Sequence, residues 1–190
     1  MSLPVLQIIA ASTRDGRKGI AVARWIERFA EAHGGFEVEF VDLAQVNLPM
    51  FDEPSHPRLG QYKHQHTKDW SATVARADAF LFVTPEYNYS FPASLKNALD
   101  HLSAEWNNKA VGLVSYGGVS AGLRATTALR PVLAALRLFP AAEAVSIPMF
   151  MQSINEDGEF VAPAPAEAGA KAMLDELVRL TGALTTLRTA

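Results

Sequence analysis

The sequence contains no cysteine among its 190 residues, and this absence removes several kinds of chemistry at once. Without thiols the chain forms no disulfide, offers no thiolate nucleophile and builds no cysteine metal site. It also lacks an apolar run of the roughly 20 residues that a membrane helix needs. The N-terminus lacks the basic stretch and the long apolar segment of a signal peptide. We therefore expect a soluble, cytoplasmic protein with no membrane partner.

Neither sign of charge dominates the composition. The sequence contains 17 Lys and Arg residues and 20 Asp and Glu residues, which gives a net charge of −3. Because nucleic-acid binding draws on a basic excess that displaces phosphate counterions, this balance argues against general affinity for nucleic acid. Apolar residues at 49% and charged residues at 19% are ordinary globular values. The length fits a single domain, residues 1–190, with one full-sized core.

Short apolar stretches indicate four β-strands and a weaker fifth. They are VLQIIA (5–10), FEVEFVDL (36–43), AFLFVT (79–84), AVGLVS (110–115) and AEAVSI (142–147). The first, third and fourth are nearly continuous apolar runs, which are typical of parallel strands covered on both faces. The second alternates apolar residues with glutamates, so we expect it near an edge of the sheet.

Apolar residues at helical spacing fill most of the intervals between these strands. They predict helices over 19–33, 92–102, 121–138 and 166–187. The alternation of strands and helices predicts an α/β fold, and five strands suit a flavodoxin-like three-layer sandwich with a five-stranded parallel sheet in the order 2-1-3-4-5. Two longer connections remain, residues 44–66 and the proline-rich stretch around 148–165.

The histidines give no metal signature in the sequence. His56, His64 and His66 fall in the 44–66 connection, with no carboxylate or thiolate at a recognised ligand spacing, so we interpret them as solvated loop residues. His33 ends the first predicted helix, where a cation suits the helix dipole, and we interpret His101 as structural. We predict no metal site.

The loop after the first strand has the composition of an anion site. In such sheets ligands bind beyond the carboxyl ends of the strands, where the strand order reverses between strands one and three. ASTRDGRKGI (11–20) follows the first strand and combines two hydroxyls, three cations and two glycines. Cations at a helix N-terminus oppose the helix dipole, so we favour a phosphate site over a solvated basic loop. Neither the phosphate loop of nucleotide hydrolases nor the dinucleotide fingerprint is present.

The loops after strands three and four add a candidate binding surface for a flat ligand. Tyr87 and Tyr89 offer ring faces and Asn88 offers hydrogen bonds, although an aromatic plug closing the sheet explains the same residues. Gly117 and Gly118 allow a close backbone approach, although an ordinary glycine turn explains them too. The three loops together describe a mononucleotide with a planar base, and flavin mononucleotide (FMN) fits best.

The stretches STRDGRKG, TPEYNYSFPASLKNALD and SYGGVSAGLRA resemble the signature loops of the NADPH-dependent FMN reductase family, which includes chromate, quinone and azo-dye reductases. The similarity covers essentially the whole chain. It implies that FMN is held at its phosphate by Ser12, Arg14, Arg17, Lys18, Gly19 and Ile20, along its isoalloxazine ring and ribityl chain by Pro85, Glu86, Tyr87, Asn88 and Tyr89, and at the other ring edge by Ser115, Tyr116, Gly117 and Gly118. The chain departs from many members at Ala11, Arg17 and Gly19, so backbone amides or Arg17 would replace some contacts to the phosphate.

The resemblance implies an FMN-dependent NAD(P)H oxidoreductase. NADPH would deliver hydride to flavin N5 and leave as NADP⁺, and a quinone, chromate, an azo compound or free flavin would then be reduced in a ping-pong sequence. We predict no catalytic acid or base; Arg124 could reach the phosphates of the pyridine nucleotide. The absence of cysteine excludes electron transfer through a thiol pair. The resemblance also implies a homodimer or homotetramer.

Two alternatives stay open at this point. The first is a flavodoxin-type one-electron carrier, which the near-neutral charge and the cationic first loop oppose. The second is a non-enzymatic module that senses a flavin or nucleotide. Trp106 and the stretch PMFMQS (148–153) add apolar surface, which either an interface or burial within the chain would explain.

Overall fold

The computed structural model describes residues 2–188. Within this range the strands are β1 (Val5–Ala10), β2 (Glu37–Asp42), β3 (Ala79–Pro85), β4 (Lys109–Tyr116), β5 (Leu138–Pro140) and β6 (Val145–Ile147). The α-helices are α1 (Gly19–His33), α2 (Leu43–Val46), α3 (Gln65–Ala75), α4 (Ala93–Asp100), α5 (Leu123–Ala135) and α6 (Ala164–Arg188). Short 3-10 helices occupy Pro57–Leu59, Ala104–Trp106 and Phe150–Ser153.

The strands form one parallel sheet in the order β2-β1-β3-β4-β5, which confirms the predicted flavodoxin-like topology. The fifth position differs from the prediction, because two short strands share it. β5 pairs with the start of β4, and β6 pairs with its end. The predicted strand 142–147 therefore corresponds only to β6. The predicted helix 121–138 ends early, since Arg137 adopts a left-handed φ of 54° that the helix cannot continue through.

The 44–66 connection contains helical structure that the sequence analysis did not assign. It begins with α2, whose first turn is capped by the Asp42 carboxylate accepting a hydrogen bond from the Ala44 N–H. It ends where α3 starts at Gln65, a helix that the apolar pattern did not reveal. α3 is mostly polar, and Trp70 and Val74 are the apolar residues that it buries.

The core lies in two layers, one on each face of the sheet. α1 and α6 cover one face and contribute Ile26 and Leu177. α3, α4 and α5 cover the other face, together with Trp106. β3 and β4 are buried along their whole length and β2 is partly exposed at the edge, as the sequence predicted. Trp106 is fully buried, so its apolar surface serves the core of this chain.

The helices between residues 2 and 188 were compared with what a membrane-spanning helix requires. None of them combines the length and the apolar character required to cross a bilayer. The extended helix α6 carries charged residues throughout, and its buried residues pack on β4 and β6.

Candidate functional site

The carboxyl ends of β1, β3 and β4 surround a cleft of about 320 Å³. This volume lies at the lower end of the range for small-molecule pockets, about 300–1,000 Å³. Most of the residues predicted for the site line it: Ser12, Arg14, Arg17, Lys18, Gly19, Pro85, Glu86, Tyr87, Tyr116, Gly117 and Gly118. The predicted switch point of the sheet therefore does carry a concave site.

Two cations of the first loop, Arg14 and Lys18, have no counter-ion among residues 2–188. α1 begins at Gly19, its N-cap residue Lys18 makes no capping hydrogen bond through its side chain, and no acidic residue lies in its first turn. The side chains of Arg14 and Lys18 are exposed, and neither forms a hydrogen bond or an ion pair with any residue from 2 to 188. The first N–H groups of a helix have no partner within the helix. This end of the cleft thus favours an anion.

Arg17, unlike Arg14 and Lys18, is paired within the chain. Its Nη2 atom lies 2.5 Å from Oδ2 of the buried Asp42, and its Nη1 atom donates to the carbonyl oxygen of Ser12 at 2.7 Å. Arg17 therefore ties the first loop to the end of β2, and its side chain also lines the cleft. Ile20 lies outside the cleft lining and packs against the core under α1.

Three hydroxyl groups meet beside the start of α1. The Oγ atom of Ser12 and the phenol oxygen of Tyr87 lie 2.8 Å apart. Burial raises the pKa of Tyr116 above its ordinary value, and the nearby Tyr87 adds to this shift. Tyr116 is therefore a neutral phenol at neutral pH, as an ordinary tyrosine is, and stays neutral further into the alkaline range, so it can donate a hydrogen bond.

The loop after β3 is a tight hairpin. Tyr87 and Ser90 exchange two backbone hydrogen bonds of 2.8 and 2.9 Å. Between them Asn88 and Tyr89 have φ angles of 47° and 69°, and positive φ at both central residues is the mark of a type I′ turn. The hairpin directs Tyr87 to the cleft. Asn88 and Tyr89 stand at its exposed tip, outside the cleft lining.

Glu86 is engaged with the start of α5. Its carboxylate accepts hydrogen bonds from Nε and the backbone N–H of Arg124, at 2.6 and 3.2 Å. Burial opposes ionisation of Glu86, but hydrogen bonds from Ser120 and Arg124 outweigh it and lower the pKa of this carboxyl. The guanidinium of Arg124 in turn lies 3.8 Å from the ring centre of Tyr89. Arg124 is thus paired within the chain, and it lies outside the residues that line the cleft.

The segment after β6 completes the cleft, and the sequence did not assign it to the site. Met149, Phe150, Met151 and Gln152 line the cavity. The backbone N–H of Met149 donates to the carbonyl of Gly118 at 3.0 Å, and that of Phe150 to the carbonyl of Gly117 at 3.3 Å. The run PMFMQS was the available signal, because its apolar side chains follow a predicted strand directly.

Ser115 does not reach the cleft. Its side chain is fully buried and its hydroxyl donates to the carbonyl oxygen of Ala121 at 2.8 Å. This bond holds the Gly117-Gly118 turn against the start of α5. Ser115 therefore shapes the loop from behind, whereas Tyr116 and the two glycines border the cavity.

The arrangement fits FMN. Unpaired cations at an uncapped helix N-terminus suit a phosphate, and the adjoining wall of Tyr87, Tyr116, Phe150 and methionines suits a flat apolar ring. Fold and site together define a flavodoxin-like mononucleotide-binding protein. A family model described as NADPH-dependent FMN reductase matches residues 5–152, and the chain belongs to that family. It is accordingly an oxidoreductase that uses FMN and NAD(P)H.

Individual relatives agree with this assignment. An NAD(P)H-dependent FMN reductase of Schizosaccharomyces pombe is 45% identical over 121 residues, which cover 63% of this chain and 60% of that protein. An NAD(P)H:quinone oxidoreductase of Solanum tuberosum is 33% identical over 139 residues, 68% of each chain. Among solved structures, the flavoenzyme FerB of Paracoccus denitrificans superposes with a TM-score of 0.74 at 20% identity, over 95% of this chain and 98% of that one, and so supports the fold.

Proposed function

We propose that the protein oxidises NADPH and passes the electrons through FMN to a small acceptor in a ping-pong sequence. A quinone, chromate, an azo compound and free flavin are the acceptors in question. The observation that carries the proposal is the cleft itself, which joins unpaired cations at the start of α1 to an aromatic wall. The potato relative, named a quinone oxidoreductase, favours a quinone. When bound, FMN supplies a ring that accepts hydride.

The residues of the chain bind and position in this proposal. Arg14, Lys18 and the first backbone N–H groups of α1 hold the phosphate. Tyr87 and Phe150 flank the ring, and the neutral phenol of Tyr116 donates a hydrogen bond beside the phosphate end. We assign Glu86 no proton transfer, because hydrogen bonds from Ser120 and Arg124 lower the pKa of its carboxyl and favour the ionised form. Hydride transfer itself requires no acid or base from the protein.

The size of the cleft supports a ping-pong sequence. Its volume of about 320 Å³ suits one small ligand. With FMN bound in a cleft of this size, nicotinamide and acceptor would take turns at one opening. Initial rates measured at several fixed acceptor concentrations test this directly, since parallel double-reciprocal lines are expected and intersecting lines would contradict it.

An anaerobic absorbance titration tests the function. Purified protein is mixed with FMN, and the flavin band near 450 nm (roughly its usual position for this cofactor class) is followed as NADPH is added. Rapid bleaching, restored by a quinone, is the expected result. A bound flavin that NADPH leaves oxidised would favour the carrier or sensor alternatives, and absence of FMN binding would refute the site. NADH in parallel tests the preference between the two nucleotides.

We extend the proposal to a homodimer or homotetramer in the cytoplasm. Met50 and Leu59 expose 75% and 62% of their surfaces on the connection before α3, and apolar side chains in such positions suit a subunit contact. Light scattering with the purified protein gives the oligomeric state, and a monomer at micromolar concentration would refute it. Fractionation of the source cells tests the location.

A further inference from the structure

Three side chains from separate elements converge on one point, away from the flavin cleft. Asp52 comes from the connection before α3, His66 from the first turn of α3, and His101 from the end of α4. Each offers one atom capable of binding a metal, and these atoms lie within 4.8 Å of one another. None of the three lines the flavin cleft.

His101 carries the clearest sign that this cluster can bind a ligand. The residue is fully buried, and its Nδ1 atom lies 2.8 Å from the backbone carbonyl oxygen of Asn97. Because a carbonyl only accepts, Nδ1 carries the proton and Nε2 has a free lone pair. Nε2 is buried and has no hydrogen-bond partner among residues 2–188. Buried polar atoms are seldom left in this state.

The carboxylate of Asp52 lies close to the imidazoles of His64 and His66. Its Oδ1 atom lies 3.0 Å from Nε2 of His66, and its Oδ2 atom lies 3.9 Å from Nε2 of His64. The rings of His66 and His101 meet edge to face, with centroids 5.9 Å apart. A simple pair between His66 and Asp52 explains the first contact but leaves the lone pair of His101 without a partner.

Hydrogen bonds around the cluster orient its side chains, as they do around metal-binding residues in other proteins. A metal-binding histidine commonly donates its second N–H to a backbone carbonyl, which fixes its tautomer and orientation, as Asn97 does for His101. The Asn97 amide also fixes the approach of the connection, since its Oδ1 accepts from Phe51 N–H at 2.9 Å and its Nδ2 donates to the Pro49 carbonyl at 2.7 Å. Asp52 is the residue directly after Phe51, so these bonds also position its carboxylate.

We propose that Asp52, His66 and His101 bind a divalent transition-metal ion such as Zn²⁺, which fastens the connection before α3 to α3 and α4. Two imidazoles and one carboxylate are ligands that suit such ions, and three protein ligands leave a fourth position for water or for the neighbouring His64. The site was not predictable from the sequence, because its ligands are 14 and 35 positions apart and come together only in the folded chain. The proposal is independent of the flavin function.

Calorimetric titration of ZnCl₂ into tag-free, chelator-treated, FMN-loaded protein tests the proposal. One Zn²⁺ per chain and a rise in melting temperature are expected for the wild type. Asp52→Asn and His66→Gln each remove one ligand at a position that is not fully buried, so both variants should stay folded. Each should bind Zn²⁺ at least about 10-fold more weakly, the smallest loss expected even for a group that only supports a ligand.

The control is His56→Ala, which removes an imidazole from the same connection outside the cluster and should leave Zn²⁺ affinity unchanged. Circular dichroism and FMN content confirm that each variant is folded. Absence of Zn²⁺ binding by the wild type would overturn the site. So would unaltered affinity in Asp52→Asn and His66→Gln, which would place the ion elsewhere on the surface.

Discussion

The hydroxyl of Tyr116 lies so close to Gly19 that a Cβ atom at position 19 would stand 1.7 Å from its oxygen. Tyr116 is buried, and its ring packs on Phe150 with centroids 4.7 Å apart. The ring therefore cannot move aside without disturbing the wall of the cleft. This contact requires glycine where α1 begins, and it brings the end of β4 against the proposed phosphate site.

Gly19→Ala should destabilise the protein and weaken FMN binding. Accommodating the added methyl group displaces Tyr116, at a cost of about 1–3 kcal/mol in the free energy of unfolding. Urea denaturation and fluorescence titration with FMN measure the two effects. Gly182→Ala is the matched control, because a Cβ atom at position 182 would meet no other atom within 4 Å and alanine is favoured within a helix by about 0.5–1 kcal/mol. Equal stability of the two variants would contradict the packing argument.

Arg14→Ala should weaken FMN binding without altering stability. The Arg14 side chain is exposed and makes no ion pair or hydrogen bond with residues 2–188, so the folded protein loses no contact with it. A charge-assisted hydrogen bond to the phosphate is worth about 1.5 kcal/mol, which corresponds to a rise in Kd of about 10-fold. Riboflavin, which lacks the phosphate, is the control ligand. Equal losses for FMN and riboflavin would place Arg14 away from the phosphate.

Arg17→Ala should chiefly affect stability. Removing this guanidinium leaves the buried carboxylate of Asp42 without its ionic partner, and we expect a loss of about 2–3 kcal/mol in the free energy of unfolding. Chemical denaturation measures the loss. Introducing Asp42→Asn into the same variant removes the stranded charge and should recover part of the stability. A single variant as stable as the wild type would show that the ion pair contributes nothing to folding.

Much of the fold followed from the sequence because its signals are local. The apolar runs of β1, β3 and β4 mark strands buried on both faces, and the alternating β2 marks an edge. The divided fifth strand was not predictable in the same way. β5 and β6 are each three residues long, and their pairing with opposite ends of β4 depends on tertiary contacts. The polar helix α3 likewise shows little periodicity.

The candidate site, like the fold, could be predicted from the sequence only in part. Loops that follow predicted strands were found, because their position at the carboxyl edge is fixed by the topology. The part of the wall formed by residues 149–152 was missed, since it reaches the cleft through backbone bonds to Gly117 and Gly118. Asn88, predicted at the ring, has a left-handed conformation at the exposed tip of the hairpin, outside the residues that line the cleft. Periodicity does not reveal such backbone geometry.

Asn88→Ala should therefore destabilise the hairpin while leaving FMN affinity nearly unchanged. Asparagine tolerates the φ angle of 47° at this position, whereas alanine pays about 1–2 kcal/mol for a left-handed conformation. Asn88→Gly keeps the conformational freedom and should be close to wild type. Urea denaturation ranks the three proteins. A marked loss of FMN affinity in the glycine variant would instead show that the Asn88 side chain contacts the cofactor.

Lys109 supplies a prediction of pH dependence. It is buried at the start of β4, and its Nζ atom donates to the carbonyl oxygen of Val74 at 3.0 Å. Burial lowers the pKa of Lys109 from 10.5 to about 8, with a further contribution from Arg188 that nearby Asp78 and Glu105 partly oppose. Between these two pH values the unfolded chain binds more protons at this group than the folded one. Stability contributed by Lys109 therefore increases as the pH rises from 8 to 10.5.

Lys109→Met removes this titration, so the wild type should gain stability relative to the variant over that interval. The gain cannot exceed about 1.4 kcal/mol per pH unit, the value of one proton taken up on unfolding. Urea denaturation of both proteins at pH 7.5, 8.5 and 9.5 (values chosen on either side of the pKa of about 8) gives the difference directly. Lys68→Met, at an exposed position of α3, controls for the loss of one positive charge. A difference that stays constant across the three pH values would mean that Lys109 keeps its proton in the folded protein, and that its bond to Val74 offsets the cost of burial.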